Sequence, residues 1–364
     1  MSRADELSRI IARHRSLYYE GVPEISDAAF DALWKELERL DPSNAELHKV
    51  GAKPSKTGFQ TARHGIAMGS LNNAMSAEDL AKFVNSTGSN DFVLQMKLDG
   101  LSVSLEYENG ALVRALTRGD GIEGDLITYN VSRMKNVKAR TPVDFTGVIR
   151  GEILLEKAVH QEHLAHMANP RNAAAGIARR KDGEDCEHLK VVYYDIVEND
   201  KTFKTEREKI ARLGELGVET VLTYYPLKTA TEINRVLDLY QATERVKLDY
   251  EIDGLVVKVN SCEVQQRLGV SSGCPKWAVA YKFPSQGAIS KIVDIEWSIA
   301  STGRVTPVAI LEPVAIGGVT VKRASLGNVS LFRDLNPYKG MEVLVVRRGD
   351  VIPHIEGPVT RDKV

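Results

Sequence analysis

The sequence predicts an α+β multidomain protein built from a helical unit, a mixed core and a small closed β-barrel. Three observations carry this expectation. Apolar residues recur at helical spacing through residues 1–40. From about residue 66, alternating strands and turn signals take over, with helices interspersed but no regular βαβ alternation. Beyond Pro284 only short strands punctuated by Gly and Pro remain. A chain of 364 residues provides for two or three domains at roughly 150 residues each.

Taken in order, Leu7, Ile10, Ile11 and Leu17 mark a first helix, and Phe30, Leu33, Trp34, Leu37 and Leu40 a second. Gly21-Val22-Pro23 breaks the pattern between them, and Ser26 or Asp27 is suited to cap the second helix. Residues 41–65, with Pro42, Gly51, Pro54 and Gly58, lack periodicity and read as a linker. A helical hairpin on a tether is therefore expected over residues 1–60. In the core, residues 61–284, Leu101, Val103, Leu105 and Tyr107 alternate strictly and Asn109-Gly110 marks a tight hairpin turn into Leu112. Further strands are expected over 148–155, 191–197, 255–259 and 277–283, with helices around 204–216 and 231–240. Residues 285–364 carry strand signals at 292–298, 305–311, 319–324 and 341–347, the style of a small barrel such as an OB-fold.

Composition excludes several classes. Hydrophobic residues at 43% and charged residues at 27% are wrong for a disordered chain. No stretch of ~18 apolar residues predicts a transmembrane helix, and the opening MSRADELSRI lacks a signal-peptide core. Cys186, Cys262 and Cys274 form no C-x-x-C pair, which excludes a disulfide framework and a four-cysteine zinc site and points to a reducing, cytoplasmic setting. The net charge of −1 argues against binding nucleic acid through bulk charge, while leaving a local basic surface open.

The sharpest chemical feature is Lys97-Leu98-Asp99-Gly100 at the end of the apolar run 92–96. A lysine leaving a buried strand at a turn is expected to have its pKa lowered by desolvation and neighbouring cations, which makes the amine nucleophilic. Asp99 falls on the same side in extended chain, and Gly100 admits a turn or a close ligand approach. Taken alone the string reads as a plain turn. One hairpin later comes Thr117-Arg118-Gly119-Asp120-Gly121, a glycine-dense loop that on its own reads first as a wide turn with a solvated arginine but is also able to wrap phosphates. Arg150-Gly151-Glu152 follows another strand. Lys258 and Lys282 each interrupt an apolar strand, so each needs a partner or a polyanionic ligand. Three lysines, an arginine and two or three acids at strand ends predict a phosphate-handling cleft.

Further strings complete the set. They are Pro23-Glu24-Ile25-Ser26-Asp27-Ala28-Ala29-Phe30-Asp31, Ser70-Leu71-Asn72-Asn73-Ala74, Asn169-Pro170-Arg171-Asn172-Ala173-Ala174-Ala175-Gly176, Ile252-Asp253-Gly254 and Arg348-Gly349-Asp350-Val351-Ile352-Pro353. In this order, and over nearly the whole chain, the strings resemble those of covalent nucleotidyltransferases and in detail the bacterial NAD-dependent DNA ligases. The resemblance implies a helical NAD-recognition subdomain over residues 1–60, an adenylation domain over 61–284 and an OB-fold domain over 285–364. It implies that Lys97 attacks the α-phosphate of NAD and carries AMP as a phosphoramidate. Asp99 and Glu152 would lie near the ribose and the catalytic metal, and Arg118, Lys258 and Lys282 would neutralise phosphate charge. Ser70, Leu71 and Gln95 would line the nucleoside site. Tyr18, Tyr19 and the run Asp27, Ala28, Ala29, Phe30 and Asp31 would hold the nicotinamide mononucleotide half, although Phe30 reads equally well as helix-packing core. NAD and Mg²⁺ are the implied cofactors, with no metal ligand assigned. A nick in double-stranded DNA is the implied substrate, acted on by a monomer with no membrane partner. Lys322-Arg323 and Arg347-Arg348 are candidates for backbone-phosphate contacts or are merely solvated.

Four departures from the family pattern stand out. Gln95 replaces the usual Glu that accepts from the adenine amino group, so weaker adenine selectivity is expected. Phe30 replaces a usual Tyr, and the turn after Tyr18-Tyr19 is one residue short, which leaves the assignment of those tyrosines open. The chain stops at Val364, where the family continues into a four-cysteine zinc finger, helix-hairpin-helix repeats and often a BRCT domain. A naturally minimal ligase and a fragment both fit that ending. With the adenylation residues present, self-adenylation is expected to be intact and nick sealing weaker and strongly salt-dependent. The alternatives are an ATP- or GTP-dependent ligase or capping-type transferase, a fragment competent only for self-adenylation, and a non-catalytic nucleic-acid-binding module of the same fold.

Overall fold

A computed structural model describes residues 2–19, 25, 27–48, 58–167, 169–271, 273–283, 286–299, 305–316, 319–327, 329–348 and 352–359. The chain divides into two compact units. One comprises residues 1–18, 22–42 and 284–364, the other residues 19–21 and 43–283.

In the first unit the two expected helices run Arg3–Tyr19 and Asp27–Leu40. Their apolar stripes bury Leu7, Ile11 and Leu37 completely, and Arg3 ties one helix to the other by donating its Nε–H to Glu36 at 3.0 Å. Phe30 packs on Trp34, ring centroids 6.0 Å apart, and the Arg15 guanidinium covers the other ring at 5.4 Å. The same unit contains a closed barrel of strands Gln286–Ile299, Val305–Ile316, Val319–Ser325, Glu342–Arg348 and Ile352–Pro358. The last of these strands escaped the sequence reading. Ile292, Ala309, Leu311, Val321, Val343 and Val345 fill the barrel, the inward half of each alternating strand.

The second unit is built on two antiparallel-dominated sheets. A five-stranded sheet has the order Asn72–Ala74, Ala278–Lys282, Ile252–Val259, Phe92–Leu98 and Thr223–Leu227. A four-stranded sheet has the order Ala111–Thr117, Leu101–Glu108, Gly147–Leu155 and Leu189–Glu198. The hairpin turn falls where Asn109-Gly110 placed it, with φ of 49° and 78°, the left-handed values such a two-residue turn requires. The helices Glu206–Glu215 and Ala230–Leu239 occupy the expected stretches and start on Thr205 and Thr229, each accepting a capping hydrogen bond from a helix backbone N–H.

Of residues 41–65, read as a linker, residues 49–57 lie outside the described residues. The segment holds a short 3-10 turn, Ala45–His48, and a strand, Thr61–Arg63, which pairs with Glu123–Asp125. Three-residue strands carry no readable alternation, so composition alone did not reveal the strand at residues 61–63.

Candidate active site

Two residues join the sheets. Phe92–Leu98 belongs to the five-stranded sheet and Leu101–Glu108 to the four-stranded one, so Asp99-Gly100 makes the corner between them. A Cβ on Gly100 would run into the Ile153 carbonyl of the neighbouring strand; only glycine lets the corner close so tightly. Lys97 is thereby held at the end of its strand beside the second sheet.

Lys97, Gly254 and Lys282 lie directly across from one another on three adjacent strands. A Cβ on Gly254 would strike the Tyr281 carbonyl, so the D-G string keeps the middle of this row bare between two lysines. The register shifts by one residue between Ile252 and Gly254, leaving Asp253 opposite no partner. Such a bulge re-aims a side chain, and here it delivers the Asp253 carboxylate to Lys97 Nζ at 2.5 Å.

The expected lowering of the Lys97 pKa is overturned. Burial does push it down, but Asp253 and then Asp99 outweigh burial and the Arg171 charge, and the net shift is upward. Lys97 is therefore an ammonium in the free chain. Asp253 shifts the other way: burial raises its pKa, yet Lys97, Lys282 and Arg171 hold it below the usual carboxylate value.

Asp99 is buried, and Arg171 Nη1 reaches its Oδ1 at 2.5 Å. The run Asn169-Pro170-Arg171 explains itself locally. Asn169 caps the helix Pro170–Ile177 by accepting from Asn172 N–H at 2.6 Å, and Pro170 occupies the first turn where no N–H is needed. Arg171 is thus presented at a fixed helix start.

Glu152 pairs across the second sheet with Ser102, whose Oγ–H donates to Glu152 Oε2 at 2.8 Å. Burial pushes the Glu152 carboxyl up to about 7, against the pull of Ser102, Arg171, Lys97 and Arg118. The site thus brings Lys97, Asp99, Arg118, Glu152 and Lys282 together with two residues not singled out from sequence, Arg171 and Asp253. Both were visible within motif strings; their roles were not, because ion pairs across strands depend on register. With Glu152 half protonated near neutral pH, four cations face fewer than three full negative charges, a field suited to a polyanion.

Lys258 is not part of this group. It shares the face of Gly254 but sits four residues further along, opposite Val93 and Ala278, roughly 13 Å down the strand. Its Nζ donates to Glu206 Oε2 at 3.2 Å and to the Tyr194 carbonyl at 3.4 Å. Glu206, 1% exposed, also accepts from Lys209 at 2.9 Å and Gln265 at 3.0 Å. Asp195 continues the chain to Lys209 at 3.3 Å and Arg150 at 3.0 Å, and Arg150 donates to the Ala67 carbonyl at 2.9 Å. The sequence demanded a partner for Lys258 or a polyanion; in this structure it has the partner.

Gln95 lies two residues before Lys97, opposite Val256. It is 2% exposed, and its Nε2 has no hydrogen-bond partner among the described residues. Ser70 and Leu71 are half-buried and lead into Asn72–Ala74, which runs parallel to the strand bearing Lys282. The side chains of Tyr18, Tyr19, Asp27, Ala28, Arg347 and Arg348, and the residues Pro23, Glu24, Ser26 and 349–351, lie outside the described residues. Ala29, Phe30 and Asp31 are half-buried on the second helix.

Among the described residues no cluster of three or more His, Cys, Asp or Glu could hold a metal ion. Asp99 and Glu152 are hard oxygen donors, which suits a Mg²⁺ ion that takes most of its shell from phosphates and water.

The family model for the NAD-dependent DNA ligase adenylation domain matches residues 56–286, and that for the NAD-dependent DNA ligase OB-fold domain matches residues 289–364. The DNA ligase of Sorangium cellulosum is 41% identical over 99% of this chain and 57% of its own length. That of Treponema denticola is 39% identical over 96% of this chain and 56% of its own, and that of Bacillus subtilis is 36% identical over 97% and 56%. The chain therefore spans about half the length of these relatives, and it belongs to the NAD-dependent DNA ligase family.

Proposed function

We propose that the chain is an NAD-dependent DNA ligase that seals nicks in duplex DNA through a lysyl-AMP intermediate. The observation that carries this reading is Lys97, a lysine ion-paired at the junction of two sheets amid Arg171, Arg118, Lys282 and three carboxylates. A binding module has no need of such a lysine.

Lys97 Nζ forms the bond to the α-phosphorus of NAD while the bond from that phosphorus to the oxygen of nicotinamide mononucleotide breaks. Lys97 passes a proton to the Asp253 carboxylate it donates to before attack, so the pairing makes deprotonation part of the barrier. Arg118 and Lys282 offset the charge that shifts between phosphate oxygens. Asp99 and Glu152 would hold Mg²⁺, which when bound supplies further neutralisation of phosphate charge. Gln95, Ser70 and Leu71 line the nucleoside end. The helices of residues 1–60 hold the nicotinamide mononucleotide half through Tyr18, Tyr19 and residues 27–31. Lys258 takes up its phosphate-facing role only by leaving Glu206. The barrel of residues 285–364 serves as duplex surface, and the enzyme works as a monomer in the cytoplasm; no described helix is long and apolar enough to cross a membrane.

Incubation with NAD labelled in its adenylyl group tests the reading. Covalent AMP on the wild type and none on Lys97→Ala is expected. Absence of label, equal label on the variant, or label from ATP but not NAD overturns it. A nicked duplex with NAD and Mg²⁺, followed across a salt series, then reads nick sealing, which is expected to fall steeply as salt rises.

A further inference from the structure

The loop carrying Arg118 is held by a segment 54 residues upstream. Thr61–Arg63 pairs with Glu123–Asp125, the His64 N–H donates to the Ile122 carbonyl at 2.9 Å, and the Met68 N–H donates to the Gly121 carbonyl at 2.9 Å. The Arg118 main chain is fixed at both ends. Its N–H donates to the Ser102 carbonyl at 3.1 Å, and its carbonyl accepts from Gly121 N–H at 2.9 Å. The second lone pair of that carbonyl faces His64 Nε2 at 3.1 Å.

A carbonyl only accepts, so this contact requires the proton on Nε2. Nδ1 must then accept, and Ser104 Oγ lies 2.9 Å from it. Burial supports the neutral ring by pushing the His64 pKa down against the pull of the Arg118 carbonyl. Ser104 and Ser102 sit on the same strand; Ser102 also donates to Glu152, whose carboxylate lies in the field of Arg118. One strand thereby sets both the main chain of Arg118 and the carboxylate of Glu152, and His64 closes the arrangement from the far side.

We propose that His64 is a positioning residue for the adenylyl-transfer reaction, fixing Arg118 through the Nε2–H···O=C hydrogen bond so that its guanidinium meets the nucleotide phosphates in one orientation. The inference rests on the ligase reading above. His64 itself touches no reacting atom.

Two measurements test it. The first needs no substrate: side-chain ¹⁵N shifts of His64 in the folded wild type at neutral pH are expected to report the Nε2–H tautomer, and an Nδ1–H tautomer overturns the proposal. The second follows single-turnover self-adenylation in His64→Ala, His64→Gln and His64→Asn, with thermal melts to confirm folding. The Gln amide nitrogen reaches the place of Nε2, whereas the Asn nitrogen stands in for Nδ1. His64→Ala and His64→Asn are expected to lose about tenfold or more in rate at saturating NAD with little change in apparent KM, and His64→Gln to come within about threefold of wild type. Folded His64→Ala at the wild-type rate, or His64→Asn rescuing as well as His64→Gln, overturns the proposal; the Asn and Gln pair decides if the Ala variant does not fold. A wild type that never acquires AMP defeats the ligase reading and this inference with it, whereas labelled wild type with an indifferent His64→Ala defeats this inference alone.

Discussion

Lys97 and Asp253 are separated by 156 residues in sequence and by 2.5 Å between Nζ and Oδ2. The contact exists because the strand carrying Asp253 has one residue more than its neighbour at that point. Its consequence is a lysine stored as an ammonium. Removing the carboxylate leaves only the weaker pull of Asp99 against burial and the Arg171 charge, which both lower the Lys97 pKa. Asp253→Asn is therefore expected to make Lys97 more reactive toward a small amine-directed reagent at pH 8, read by peptide mass mapping. NAD-dependent adenylation should fall in the same variant if Asp253 also holds Lys97 in line for attack. Unchanged reagent labelling would refute the electrostatic account.

Glu152 gives a pH signature. Its carboxyl is at about 7 in the folded chain against an ordinary 4.5. Between those values the folded state binds more protons than the unfolded one, so this group's contribution to stability falls as pH rises through that window and is fully lost above 7. The loss is on the order of 3 kcal/mol at most. Glu152→Gln should accordingly melt higher than wild type at pH 8 and close to it at pH 5. kcat/KM for adenylation, which reports groups of the free enzyme, should rise through an inflection near pH 7 in the wild type. In Glu152→Gln the remaining activity should be low and lack that inflection.

Lys258 and Glu206 form a pair buried to 8% and 1% side-chain exposure. Taking away one partner strands the other, and single losses of this kind cost about 3–5 kcal/mol. Lys258→Met and Glu206→Gln are each expected to lower the melting temperature markedly. Because the two losses share one contact, Lys258→Met/Glu206→Gln should cost less than their sum, by about 0.5–3 kcal/mol. Strict additivity in denaturant unfolding would show that Lys209, Gln265 and the Tyr194 carbonyl, rather than the pair itself, hold the two side chains.

The contrast between Lys97 and Lys258 shows what the sequence carries. Strand periodicity located both lysines on their strands, and the Asp99-Gly100 string marked the corner that places Lys97. Nothing in one dimension tells which lysine meets Asp253 and which meets Glu206. That is decided by a one-residue bulge at Asp253 and by the start of the helix Glu206–Glu215, whose first residue points into the unit rather than to solvent. The same holds for His64. It sits beside a strand of three residues, too short for alternation to register, in a stretch whose Pro and Gly content reads as a tether. Arg171 was legible as part of a string, but its place at a helix start was not read, and its carboxylate partner lies in another element.

Gln95 offers the sharpest test of specificity. Its amide is enclosed at 2% exposure with Nε2 lacking a partner among the described residues, so the free chain leaves a buried donor unmet, a cost a ligand acceptor can relieve. A carboxylate at this position would only accept, which suits the adenine amino group alone; an amide both accepts and donates, and can turn to meet a 6-oxopurine as well. The wild type is therefore expected to use the hypoxanthine analogue of NAD with modest discrimination. Gln95→Glu should widen the adenine preference about five- to tenfold, the difference of about 1 kcal/mol between a neutral and a charge-assisted hydrogen bond. The variant should also melt lower, because its carboxylate is enclosed without a partner until the nucleotide binds. Competition between labelled NAD and its hypoxanthine analogue in single-turnover adenylation measures the ratio directly. An unchanged ratio in Gln95→Glu would place the nucleobase away from this side chain.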